Sequence, residues 1–307
     1  MIKKAKIVVV GSSNTDMIIK VDKIPAPGET IIGGEFSMAA GGKGANQAVA
    51  AARAGGEVNF IACVGEDMFG KQAIEGFVKD GINIDYVSKI KDYASGVALI
   101  FVDQKGENSI AVASGANSQL MPVHIERAKN AITSADILVM QLETPIETVN
   151  TAAKLATENG VKVILNPAPA RPLEDETLNH VSILTPNESE TELLTGIKVT
   201  DENSASKAAD SLLPRGIEMI LITLGPRGVF LATSDIREIV PSFEVNAVDT
   251  TAAGDVFNGA LAVSLAENKS LIDAVRFANA AAALSVTKLG AQPSAPNREE
   301  IDRLLKS

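Results

Sequence analysis

Short apolar runs separated by helical stretches set the pattern of this chain. Lys6–Val10 ends at Gly11 and reads as a buried strand; residues 137–141 and 161–165, Ile183–Leu184 and Met219–Thr223 repeat the form. This alternation predicts a parallel sheet with helices on both faces. Two places depart from it. Residues 17–20 and 30–33 read as short strands around the turn Pro25-Ala26-Pro27-Gly28, with no helix pattern between them, so an antiparallel excursion is expected. Residues 97–102 and 108–112 read as a further pair about a polar turn, with Ala98 and Ile100 on one face and Ile110 and Val112 likewise. An ordinary hairpin packed on the body fits that second pair equally well. Near the end, residues 271–287 form an Ala-rich helix too apolar to be anything but packed, and residues 298–306 a short amphipathic one.

Against this background, Asp249-Thr250-Thr251-Ala252-Ala253-Gly254-Asp255 stands out. Phe257, Ala260, Leu261, Ser264 and Leu265 follow at helical spacing, so the stretch opens a helix. Its first-turn N–H groups lack intrahelical partners and attract anions, phosphate above all. Asp255 is a carboxylate beside that place, as a base acting on a hydroxyl next to a phosphoryl group would be. A first-turn acid complementing the helix dipole has the same appearance.

Gly41-Gly42-Lys43-Gly44-Ala45-Asn46-Gln47-Ala48 is the second unusual stretch. It leads into an Ala-rich helix reaching about Ala54, packed through Ala45, Ala48, Val49 and Ala52, but it lacks the P-loop spacing. The polar Ser12-Ser13-Asn14-Thr15-Asp16 reads as turn-like. Asn14 and Asp16 are either turn residues or hydroxyl-binding groups at the carboxyl end of a strand. Glu143 follows a buried-looking strand, so it is either a hydroxyl acceptor at a strand end or a surface acid without a role. Asn187 and Glu190 have the spacing of a helix cap with its companion acid. Thr223, Gly225, Arg227 and Gly228 form a strand-end turn, where Arg227 either neutralises phosphate or is solvated. His124 and His180 read as surface residues, and neither a Ser/His/Asp arrangement nor zinc spacing is present.

Composition narrows the class. The chain has 307 residues, 46% of them hydrophobic, with no Trp and two Tyr, as suits a large layered α/β domain. A net charge of −10 argues against nucleic-acid or anionic-membrane partners. Cys63, the only cysteine, excludes an intrachain disulfide and reads as a small buried hydrophobe in a reducing compartment. No leader pattern or membrane-length apolar run is found, which places the protein in the cytoplasm. Gly11 has no partner glycine in the next five positions, which disfavours a nicotinamide dehydrogenase.

Taken as a pair, Gly41 to Ala48 and Asp249 to Asp255 resemble the two signature stretches of the phosphofructokinase-B-type, or ribokinase-like, carbohydrate kinase family. Asn14 and Asp16, Gln141-Leu142-Glu143, Asn166-Pro167-Ala168-Pro169-Ala170, Asn187-Glu188-Ser189-Glu190, Thr223-Leu224-Gly225 and Gly290-Ala291-Gln292-Pro293-Ser294 stand in family order across essentially the whole chain. The resemblance implies a three-layer α/β/α domain over residues 1–307, with a mostly parallel sheet and a small β-sheet lid from about 15–40 and 92–115. It implies transfer of a phosphoryl group from ATP to O5 of D-ribose, giving D-ribose 5-phosphate. Asp255 would be the base, and Asn14, Asp16, Gly42, Lys43, Asn46, Glu143 and Asp255 would hold the sugar. The second half of the chain would hold the nucleotide through Asn187, Glu190, Thr223, Gly225, Arg227, Gly228, Ala252, Gly254 and Asn279, with Mg²⁺ near the phosphates. Asp249, Thr251, Ser285, Lys288, Gly290 and Ser294 would hold a K⁺ activator, Lys288 through its carbonyl only. Because the lid strands would expose sheet edges, a homodimer through the lid is expected. The alternatives are a kinase for 2-deoxyribose, fructose, ketodeoxygluconate or a nucleoside, and a non-catalytic sugar-binding regulator; the intact Asp255, Gly254 and Asn187/Glu190 set disfavours the regulator.

Overall fold

Strand β1 (Lys6–Val10) sends its side chains alternately into two cores. In the computed structural model, which describes residues 4–306, Ile7 and Val9 enter one core and Val8 and Val10 the other. A strand covered on both faces needs apolar residues throughout, which is why this run shows no polar alternation.

The remaining strands in chain order are β2 (Asn14–Lys20), β3 (Glu35–Gly41), β4 (Glu57–Gly65), β5 (Val87–Ile90), β6 (Gly96–Val102) and β7 (Asn108–Ala113). After them come β8 (Ile137–Met140), β9 (Lys162–Leu165), β10 (Ile183–Leu184), β11 (Met219–Thr223), β12 (Val229–Ala232) and β13 (Arg237–Val240). The main sheet runs β13-β12-β11-β10-β9-β8-β1-β4-β5. It is parallel from β11 to β5, and only the β11/β12 and β12/β13 pairs are antiparallel. Helices Lys43–Arg53, Ala253–Ala266 and Leu271–Ser285 cover one face, through residues such as Val49, Leu261 and Phe277. Helices Ile146–Glu158 and Glu202–Leu212 cover the other, through Val149, Ala152, Ala205 and Ala208. The three layers match the α/β architecture that the apolar runs predict.

One packing detail positions the site. Helix Ala253–Ala266 lies so close to helix Lys43–Arg53 that a Cβ on Gly259 would sit 2.7 Å from Ala50 Cβ. Small residues on both helices therefore bring Asn46 and Gln47 against the start of the second helix.

A second sheet, ordered β3-β2-β6-β7, stands apart from the first. The strands β6 and β7 fall where the alternation puts them, but the first excursion differs. Residues 30–33 are not a strand, and the partner of β2 is Glu35–Gly41. Gly33 and Gly34 both have positive φ, which breaks extended pairing just before it. Nor are Asn14 and Asp16 in a turn: β2 begins at Asn14, where it pairs with both β3 and β6. Among the described residues no helix is long and apolar enough to cross a membrane.

Candidate active site

Helix Lys43–Arg53 begins with a cap that has no side chain: Gly42, at φ 88°, makes no side-chain hydrogen bond. Its first-turn donors are satisfied from elsewhere. The N–H of Lys43 donates to Glu143 Oε2 at 3.0 Å, that of Gly44 to Ser12 Oγ at 3.3 Å, and that of Ala45 to Ser12 O at 2.8 Å. The Ser12 hydroxyl donates to Glu143 as well. Residues just beyond β1 and β8 thus lock the glycine-rich turn. On β2, Asn14 and Asp16 share one face of the pleat. Asn14 Oδ1 accepts from Asn117 Nδ2 at 2.7 Å, and a Cβ on Gly41 would collide with the Asp16 carboxyl. Glycine at 41 therefore makes room for that acid.

Asp255 is buried at the start of helix Ala253–Ala266. Asn46 Nδ2 donates to its Oδ2 and Gln47 Nε2 to its Oδ1, each at 2.9 Å. Burial raises its carboxyl above the ordinary range, while Lys43 and the two amides pull it down. Burial, reinforced by Glu143 and Asp255, pushes the Asp16 carboxyl up to about 6. Lys43 is the counter-charge to this acidic group: Asp255 above all, with Glu143, Glu190 and Asp16, holds its ammonium above the usual value against burial. A base of raised pKa beside a retained cation can take a proton from a hydroxyl and tolerate the charge that follows.

Ahead of Asp255, Ala252 is left-handed at φ 60°, a conformation uncommon outside glycine. The turn it makes leaves the N–H groups of Gly254 and Asp255 without a partner among the described residues, and a Cβ on Gly254 would meet only open space. This is the anion-attracting geometry. A cleft of about 990 Å³ opens beside it, lined by Gly254, Thr250, Thr223, Gly225, Gly228 and Asn279 among others. Asn279 is fixed there by donating to the carbonyls of Val240 and Pro241.

Other sequence candidates take different places. Arg227 does not line the cleft; its guanidinium is ion-paired with Glu188 at 2.5 Å and reaches the Thr200 carbonyl. Asn187 and Glu190 form a reciprocal capping box, each side chain holding the other's backbone N–H at 2.8 Å. Asn187 also bridges Thr223, which brings the pair to the rim of the strand-end turn. Burial raises the Glu190 carboxyl, so a nearby cation would be favourable to it.

Asp249 ties two loops together, accepting from Thr251 N through Oδ1 and Gly290 N through Oδ2, both at 2.9 Å. Burial would raise its carboxyl, but these bonds outweigh burial and hold it below the ordinary value. The Ser285 and Ser294 hydroxyls donate to the carbonyls of Ala282 and Ala291, which leaves lone pairs on their oxygens. Lys288 Nζ is paired with Glu300 at 3.0 Å. The donors these residues offer are oxygens, one of them a carboxylate's, and oxygen donors suit hard cations.

These features put a buried carboxylate, a turn with N–H groups unpaired among the described residues and a large cleft side by side. Residues 4–298 match the model of the pfkB family carbohydrate kinases. The chain belongs to that family. It is 50% identical over 292 residues to a ribokinase of Haemophilus influenzae, covering 95% of each chain. It is 40% identical over 300 residues to a deoxyribokinase of Salmonella typhi, covering 97% of this chain and 98% of the other. Its fold matches the structure of Arabidopsis thaliana ribokinase complexed with ribose and ATP with a TM-score of 0.92, at 34% identity, over 99% of this chain and all of that one.

For a pfkB carbohydrate kinase, several polar residues at the site escape reading from sequence. Gln47, Gln141 and Asn166 are buried and linked to one another behind Asp255. Asn117 fixes Asn14 and also both backbone polar groups of Ser13. Gln47, Gln141 and Asn166 lie inside the family-like stretches, a signal of place but not of role; Asn117 carries no signal at all. The histidines are half-buried rather than surface residues. His124 Nε2 lies 3.7 Å from Cys63 Sγ and His180 Nδ1 2.9 Å from Thr157 Oγ1.

Proposed function

We propose that this carbohydrate kinase transfers the γ-phosphoryl group of ATP to O5 of D-ribose, giving D-ribose 5-phosphate and ADP. The observation that carries the reading is the 50% identity to a ribokinase over 95% of both chains. Asp255 takes the proton from the primary hydroxyl as its oxygen attacks phosphorus. The N–H groups of Gly254 and Asp255 face the charge that develops on the phosphoryl oxygens, in the manner of an oxyanion hole. Lys43 balances the transferred charge, and Asn14, Asp16, Gly42, Asn46 and Glu143 orient the sugar. Asn46 Oδ1, buried and without a partner among the described residues, supports this as an acceptor waiting for a hydroxyl.

The adenine nucleotide occupies the cleft lined by Thr223, Gly225, Gly228 and Asn279, and the small sheet is the lid over the sugar within one kinase domain. Asn187 and Glu190 would hold Mg²⁺, which would supply neutralisation of phosphate charge. Asp249, Thr251, Ser285, Gly290, Ser294 and the carbonyl of Lys288 hold K⁺. Two chains pair through the lid, since Phe36, Met38 and Leu99 are 63%, 49% and 49% exposed on one face of it. The protein works in the cytoplasm, where its phosphoryl donor is made.

The deoxyribokinase relative favours one second reading, 2-deoxyribose as acceptor. A panel of pentoses, hexoses and nucleosides with ATP, following ADP release and identifying the product, tests both. Ribose should give the highest kcat/KM. A 2-deoxyribose preference would change the acceptor, and no sugar-dependent ADP release would remove the assignment.

A further inference from the structure

We propose that Gln47, gripped by Gln141 and Asn166, is a positioning residue that aims Asp255 for phosphoryl transfer, an inference resting on the kinase reading above. A carboxylate only accepts hydrogen bonds, so Gln47 must turn its Nε2 toward Asp255, and it does so at 2.9 Å. That choice propagates. The second hydrogen on Nε2 goes to Asn166 Oδ1 at 3.2 Å, and Asn166 Nδ2 donates to the Thr185 carbonyl at 3.2 Å. Gln47 Oε1 is then free to accept, and takes Gln141 Nε2 at 2.6 Å. The orientation of every amide in the chain follows from the one group that cannot donate.

Burial makes this orientation binding. Gln47 is 0% exposed and Gln141 1%, so water cannot compensate a flipped amide. Gln141 Oε1, buried and without a partner among the described residues, belongs to the amide that holds Gln47 against Asp255. Bare acceptors in a protein interior are unfavourable. The arrangement leaves that acceptor bare and delivers a donor to each oxygen of Asp255. The charged groups that face Asp255 are Lys43 on the helix of Gln47, Glu143 beyond β8, Asp16 on β2 and Glu190.

The full-length chain with Gln47→Leu, Gln47→Glu or Gln141→Leu tests the proposal, with sugar binding by calorimetry as the check on folding. Q47L should lower kcat about 10- to 100-fold with KM for sugar and ATP changed far less, because misplacing a reacting group by about 1 Å costs that much. Q47E sets a second carboxylate against Asp255, and the acid limb of kcat should move up by about one pH unit or more. Q141L should fall between wild type and Q47L. Folded Q47L and Q47E with wild-type kcat and an unmoved acid limb would overturn the proposal. If Q47L does not fold, the nearly isosteric Q47E decides alone through its pH profile. A wild-type chain that transfers no phosphoryl group from ATP to any sugar would overturn the kinase reading and this inference with it; an active wild type with unmoved variants sinks only the inference.

Discussion

The backbone N–H of Lys43 donates to a carboxylate oxygen of Glu143, 3.0 Å away across 100 residues of chain. One acid thereby caps the glycine-rich helix and, in the proposed function, also holds the sugar. Hydrogen bonds to charged groups are worth about 1.5–3 kcal/mol, so Glu143→Ala should raise the sugar KM roughly 10- to 100-fold. Glu143→Gln, which keeps an acceptor for Lys43, should lose less. Steady-state kinetics on both variants, with the KM for ATP as internal control, separates the outcomes; equal sugar KM values would detach Glu143 from the sugar.

Asp255→Asn should leave the fold and sugar binding nearly intact and reduce turnover about 10²- to 10⁴-fold, the usual effect of removing a general base. Calorimetric sugar affinity and kcat on the same preparation check this. Near-wild-type turnover would take Asp255 out of the base role.

Sugar affinity should depend on pH through Asp16. With its carboxyl at about 6, the group loses its charge as pH falls through that value, so the sugar KM should rise toward acid. The effect on stability has the opposite sign. Without sugar, a raised acid opposes folding increasingly as pH rises above its unfolded value of 3.8, fully so above about 6. Asp16→Asn should therefore raise the thermal midpoint of the free protein at pH 7.5 while weakening sugar binding. A lowered midpoint with unchanged sugar KM would contradict both halves.

K⁺ should raise activity at saturating ATP and Mg²⁺, whereas equal ionic strength from a large organic cation should not. Simple screening would answer to both salts alike. Asp249→Ala should blunt the response, since Asp249 joins the turn at Thr251 to the loop at Gly290. Identical titrations with the two salts would remove the cation site and leave the kinase assignment standing.

Sedimentation should find a dimer at working concentration, and Leu99→Asp should shift it toward monomer by placing a charge on the apolar lid face. An active wild-type monomer would refute pairing through the lid.

The parts of the fold legible in the sequence are those whose pattern has a local cause. Strands β1, β8, β9, β10 and β11 are covered on both faces, so apart from a polar residue at one end of β1, β9 and β11 each is an apolar run. Strand β3 is not legible, because its apolar residues are exposed and alternate weakly; Phe36, at 63%, has no core to face. Asn14 and Asp16 look like turn residues until β3 and β6 are known to flank them. At the site, the spacing of Asn187 and Glu190 revealed the capping box, since a cap is a local interaction. Gln47 sits in a conspicuous stretch, but its contact with Asp255 spans 208 residues and depends on how closely two helices pack. No local pattern carries that information.

Strand β2 presents Asn14 and Asp16 on one face and Thr15, Met17 and Ile19 on the other. Its seven residues form a strut between two binding events, a sugar inside and, in the proposed dimer, a second chain outside. Thermodynamic reciprocity then requires each event to change the affinity of the other by the same factor. Where that factor exceeds one, dilution loosens the grip on the sugar, and sugar in excess shifts the equilibrium toward paired chains.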